Sequence, residues 1–471
     1  MKYIFLACIL LAGAMYAFAV GSLETIEDPN RTTIIWSTDR NPARLLQVDV
    51  FERMFPQLHV VVEKRDETKI IVRCATGTGP DVIDVGDVFE FSTLVEAGVL
   101  MDLTPYAERM GFAPDKTYAS LEGAITYEGR QYRFPCNVHA NAVIYNRHIL
   151  EDHDAPMPQP GWTWDDFVAS ALAVRNNPSK SGQEHIPLAN WLSEWVFQDL
   201  LISHGGRFFS DDGLHSALAE EPALASMRRF RDMALVDDIM PTSAEAKSLS
   251  SQGGWGSGGI AWFFNQQAAY IFIGRWGIVR IPAYLKRNPQ LKERMASIVM
   301  PRAAGRPPQV GVRTRAAGIN AKSERPEEAM AFLQYLASDD YSALIVKDGD
   351  SLPPSPALAG SGQDLTNDII DREEFHQPFI DAARTGRPLD VSPFVESQIV
   401  KRWIKEAVES VENGADPDEE LRRTAAEVDA RIRQNLRRRP ELQAKFEAVT
   451  GRPYHDDWWR PQMAATDVSA P

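Results

Sequence analysis

Between Thr32 and Val85 the chain alternates short β-branched runs with amphipathic stretches, and this alternation restricts the fold more than any other feature. Thr32-Thr33-Ile34-Ile35-Trp36 has strand composition and stops at the polar Ser37-Thr38-Asp39-Arg40. From Pro42 apolar residues recur at helical spacing until Pro56 ends the helix. Leu58 to Val62 reads as a second strand, a second helix ends near Gly77-Thr78-Gly79, and Pro80 to Val85 reads as a third strand. A strand–helix–strand–helix–strand series predicts a parallel α/β sheet, because each crossover helix covers a face of the sheet between parallel neighbours. Ligands of such sheets sit outside the carboxyl ends of the strands. Those ends carry Asp39 and Arg40 after the first strand and Asp84 and Asp87 at the third.

The series accounts for only the start of 471 residues, so two domains or lobes are expected. Tyr132 to Tyr145 is an extended stretch, and Trp162 to Phe167 opens a helix with Thr163 as its N-cap. Gly253 to Gly259 is a glycine-rich loop. Strands return at Ser297 to Met300 and Ala316 to Asn320; helices follow from Pro326, from Ser397 to Val411 and from Pro417 to Leu436. The net charge of −15 argues against nucleic acid as the main partner, since phosphate binding needs a basic face. Ile4 to Val20 is an apolar leader preceded by Lys2, and Ala17-Phe18-Ala19 offers the small residues of a cleavage site. This predicts export with a cleaved signal, an uncleaved anchor being the alternative. The remaining cysteines, Cys74 and Cys136, read as buried free thiols. No metal-ligand spacing, P-loop or serine-nucleophile elbow is present, and no cofactor is expected.

Six segments, in order, resemble one known family: the extracellular solute-binding proteins of ATP-binding-cassette importers, of the sugar-binding type that includes maltodextrin-binding proteins. Thr78-Gly79-Pro80-Asp81-Val82-Ile83 matches a G-x-x-PDV strand, and Leu94 to Tyr106 matches L-x-x-AG-x-L-x-DLTPY. Tyr127 to Pro135 with Tyr145-Asn146 matches a crossing strand, and Thr163 to Phe167 matches TWDDF. Gly274-Arg275-Trp276 matches G-x-W, and Val310-Gly311-Val312 with Ala317 to Asn320 resembles the return strand. The resemblance implies a two-lobed periplasmic-binding-protein fold whose cleft lies between lobes joined by crossing segments. It places the first lobe at about 25–138 and 298–345, the second at 139–297 and 346–440, and a C-terminal extension at 441–471.

The same resemblance implies a carbohydrate ligand, delivery to a membrane permease, and action as a monomer. Sugar rings stack on aromatic planes while fixed polar groups hold their hydroxyls. Trp276 is the expected stacking residue, with Trp195, Trp191 and Trp255 as further candidates. His139 stands where maltodextrin binders carry a carboxylate, and Asn141 shares its strand face. Asp84, Asp87, Asp39 and Arg40 are candidate hydroxyl partners; Arg313 is a candidate clamp for an acidic sugar. A ligand sensor for a membrane receptor, or a secreted carbohydrate-active enzyme, are the alternatives. The adjacent acidic pairs Asp211-Asp212 and Asp237-Asp238 do not face each other across a cleft as glycoside chemistry requires.

Overall fold

The computed structural model describes residues 30–459 apart from Arg40, Pro42, Leu192 and 250–257. The leader, Arg40 and Trp255 therefore lie outside the described residues. Eleven strands are seen among those described: β1 (Thr32–Thr38), β2 (Leu58–Lys64), β3 (Val82–Val85), β4 (Thr126–Tyr127), β5 (Arg130–Gln131), β6 (Arg133–Ala140), β7 (Ala142–Asn146), β8 (Ile186–Leu188), β9 (Ala268–Ile273), β10 (Met295–Val299) and β11 (Val312–Ile319). They form a five-stranded sheet in the order β2-β1-β3-β11-β6, a four-stranded sheet in the order β10-β7-β9-β8, and the small ribbon β4-β5.

In the first sheet β1 is parallel to β2 and β3, as the alternation predicts. Side chains of successive strand residues point to opposite faces, so both faces need apolar cover. Ile34, Trp36 and Val82 enter one cluster with Phe51 of the helix Ala43–Met54 and Phe332 and Tyr335 of the helix Pro326–Leu336. Ile83 and Val85 enter the opposite cluster with Phe91 and Leu94 of the helix Val88–Glu96. The sheet is mixed rather than wholly parallel. β11 runs antiparallel between β3 and β6. It returns from the other sheet and enters at the end where β3 and β6 finish, so it must run the opposite way.

β7 is antiparallel to β9 and β10, and β8 is parallel to β9. All six residues of β9 are buried, the mark of a strand covered on both faces. The chain passes between the sheets at Asn141, between β6 and β7, and again between β10 and β11. A third link follows the helix Asp339–Asp348, where Leu352 bridges back to Val138. Three crossings and two covered sheets make a two-lobed molecule.

The extension beyond Arg439 forms the helix Pro440–Thr450 and then folds back. Phe446 lies 5.3 Å from Trp458, which in turn lies 5.3 Å from His215. Tyr454 and Trp458 pack on the main apolar core, and Lys445 makes an ion pair with Glu128 in the β4-β5 turn. Cys74 and Cys136 are both buried and free.

Candidate functional site

The strand registers bring many of the sequence candidates to one level. β1, β3 and β6 end there, and β11 begins there, with Val312 opposite Ala140 and Arg313 opposite His139. Across the crossing at Asn141, β9 ends beside the start of β7, since Ile273 pairs with Ala142. β8 runs with β9, so Trp191 leaves it at the same end.

The floor contributed by the first sheet is a buried polar network. Asp84 accepts from Trp36 Nε1 at 2.7 Å, from Arg315 Nη1 at 2.5 Å, and from the Thr38 hydroxyl. Asp350, in the third crossing, accepts from Arg44 Nη1 at 2.7 Å and from Asn137 Nδ2 at 3.3 Å. Asp39 accepts from Arg44 Nε at 2.8 Å while its own side chain stays 40% exposed. Burial alone would raise the pKa of Asp39, but the charges of Arg315 and Arg44 outweigh it and hold the carboxyl at about 2. Asp350 is likewise held low by Arg44 and Arg315 against its burial.

A second network joins β11 to the helix Glu194–Ser203. Arg313 Nη1 donates to Asp199 Oδ1 at 2.9 Å, and Asn141 Nδ2 donates to Asp199 Oδ2 at 2.6 Å. The guanidinium carbon of Arg313 lies 5.1 Å from the centre of the Trp195 ring, a cation–π contact. Trp195 and Trp191 remain 42% and 40% exposed, large apolar surface beside a polar floor. Trp276 is half-buried against the main core. Gly274 lies tight against it: a Cβ there would sit 2.7 Å from Trp276 Cδ1 and 3.2 Å from His139 Cβ. His139 is held near pKa 3 by burial and by Arg313 and Arg315, so its imidazole is neutral. No described group hydrogen-bonds its ring, and the buried Nε of Arg313 and of Arg315 and Oδ1 of Asn137 also lack a partner.

Several candidates have structural employment. Asp87 caps the helix Val88–Glu96, accepting from Glu90 N at 2.8 Å, and holds Lys401 at 2.8 Å. Asp84 is wholly engaged by its donors, and Trp36 is fully buried. Arg313 and Arg315 already face carboxylates, so neither guanidinium is a free clamp. Asp87, Trp195 and Arg313 nonetheless line one narrow cavity with Gly86 and Leu389.

Asp199, Asp350, Arg44 and Gln47 were not singled out by the sequence. Asp199 follows Trp195 by four residues, hence on the same helix face, and that spacing was a usable signal. Asp350 follows Gly349 after a helix and looks like any turn residue; only the fold brings Arg44 to it.

The fold and this level of converging strand ends define a two-lobed binding protein with its site between the lobes. A family model described as bacterial extracellular solute-binding protein matches residues 47–343, and the chain belongs to that family. The chain is 22% identical over 376 residues to the diacetylchitobiose binding protein DasA of Streptomyces coelicolor, covering 76% of this chain and 83% of that protein. Among solved structures it is similar to a Thermotoga lettingae solute-binding protein bound with α-D-tagatose, with TM-score 0.70, 17% identity, and coverage of 85% and 100%. It is also similar to a Listeria monocytogenes substrate-binding protein in complex with cycloalternan, with TM-score 0.68, 18% identity, and coverage of 85% and 98%. Among the described residues no helix is long and apolar enough to cross a membrane.

Proposed function

We propose that the chain captures an uncharged carbohydrate between its lobes and delivers it to an ATP-binding-cassette permease at the outer face of the membrane. The observation that carries this reading is the pairing of exposed Trp191 and Trp195 with a polar floor whose charges are internally matched. Apolar rings suit the C–H faces of a sugar, and unpartnered polar atoms suit its hydroxyls. The carbohydrates named for the similar proteins support the same class of ligand. Trp276 and His139 supply the second wall, and Asn141, Asp39 and Arg313 the polar contacts. A ligand touching both lobes binds the closed arrangement better and shifts the population toward it. Residues 1–19 act as the export signal.

The two floor carboxylates Asp39 and Asp350 are not in the state that an acid for glycoside cleavage needs. A glycoside-cleaving acid needs a raised pKa, whereas Asp39 and Asp350 are both held low by arginines.

The test is a thermal-shift screen of the purified protein against a carbohydrate panel, followed by calorimetry and product analysis of each hit. A ligand that binds only the native state raises the melting temperature. The expected result is one-to-one binding of a neutral sugar that is recovered unchanged. Cleaved product, or no sugar ligand in a panel that spans mono- to oligosaccharides, would overturn the reading.

A further inference from the structure

A second cluster of chemically able side chains lies at the opposite end of the second sheet. Asp152 closes the helix Arg147–Asp152 that follows β7, His153 comes next, and His185 immediately precedes β8. β7 ends and β8 begins away from the crossing at Asn141, so the cluster is separated from Trp276 by the length of the sheet. One ligand atom from each of Asp152, His153 and His185 lies within 4.8 Å of the other two.

The hydrogen bonds around them fix the protons. His153 Nδ1 lies 2.9 Å from the carbonyl oxygen of Asn177, which only accepts, so Nδ1 carries the hydrogen. In the neutral ring this leaves the lone pair of His153 on Nε2, which faces His185 Nδ1, 2.9 Å away. Asp152 accepts from the hydroxyls of Ser179 at 2.6 Å and Ser181 at 2.7 Å, and from Ser181 N at 2.9 Å. A histidine whose second nitrogen donates to a backbone carbonyl, beside a carboxylate oriented by hydroxyls, is the arrangement that supports metal ligation. His153 and His185 also line a cavity of about 1250 Å³ among the described residues, so one side of the cluster is open.

We propose that Asp152, His153 and His185 bind a divalent zinc ion, leaving a fourth position open toward that cavity. Two ligands at 2.0–2.1 Å from a tetrahedral zinc are about 3.4 Å apart. The two ring nitrogens must separate slightly and the carboxylate must approach, both within side-chain adjustment. On binding, the Nδ1 hydrogen of His185 moves to its Nε2 through solvent and the ion takes the freed lone pair. Two neutral imidazoles and one carboxylate then face the cation. Imidazole nitrogen favours zinc over magnesium or calcium, which select oxygen ligands. The ion ties the segment before β8 to the end of β7 and is independent of the sugar cleft.

The experiment titrates chelator-stripped full-length protein with Zn²⁺ by calorimetry and with Co²⁺ by visible absorption. The expected result is one equivalent bound, with the ligand-field bands of a four- or five-coordinate cobalt site and a zinc-dependent rise in melting temperature. His185→Gln, at a half-buried position, should weaken binding about tenfold or more and abolish the cobalt bands. Asp152→Asn gives a second ligand variant should the first not fold. Sugar affinity should be unchanged in either variant. No stoichiometric binding, or an equivalent that persists undiminished in a folded ligand variant, would overturn the proposal.

Discussion

Arg313 holds Asp199 with one edge at 2.9 Å and places its face 5.1 Å from Trp195, so one side chain links the crossing strand β11 to the aromatic wall. The pair is 7% and 3% exposed, and breaking it leaves a buried guanidinium unmatched. Asp199→Asn is therefore expected to destabilise the fold by about 3–5 kcal/mol in urea unfolding. Arg313→Met combined with Asp199→Leu should recover most of that loss, and no recovery would mean the ion pair is not the cause. Trp276→Ala should weaken sugar binding by roughly 1–3 kcal/mol, through lost stacking and burial. Calorimetry on the folded variant checks this, and unchanged affinity would remove Trp276 from the site.

Elements place these residues through their ends. Thr163 starts the helix Trp164–Asn176 with a complete capping box, its side chain accepting from Asp166 N while Asp166 accepts from Thr163 N. The TWDDF segment is legible for that reason: local chemistry alone sets this helix start. Thr163→Ala should cost about 1 kcal/mol in stability. Sugar affinity should not change, because Trp164 beneath it is buried and bonds Ser203 rather than any cleft residue. A large affinity loss in a stable variant would show that this helix end reaches the ligand. Strand β11 is the contrasting case. Its residues 316–320 read as a strand, but its antiparallel direction and its bulge between Arg315 and Ala316 come from its route out of the other sheet.

At the scale of the molecule, buried imidazoles link the fold to pH. His376 is fully buried, donates from Nε2 to the Ile370 carbonyl, and accepts at Nδ1 from Arg275. Burial, with the nearby Arg275 charge, lowers its pKa from 6.5 to about 3. Between those values the unfolded chain binds a proton that the folded chain does not, so the stabilising difference is complete above 6.5 and is lost as pH falls toward 3. Each such group contributes a slope of about 1.4 kcal/mol per pH unit in that window. His139, lowered likewise, acts in the same direction, and Glu90, raised to about 7 by burial, acts against them. His376→Gln should flatten the acid limb of a stability–pH profile by about one proton. An unchanged slope would refute the assignment. The first three strands, the capped helix start at Thr163, the two-lobed class and the candidate tryptophans are legible along the chain, because they follow from local periodicity, capping and motif order. That Arg313 is matched by Asp199, Asp84 by Arg315, Asp87 by Lys401 and Asp350 by Arg44 emerges from the folded arrangement alone. Each of these pairs joins residues far apart in the chain, and a charge pattern read along one dimension carries no information about which opposite charge the fold will bring beside it.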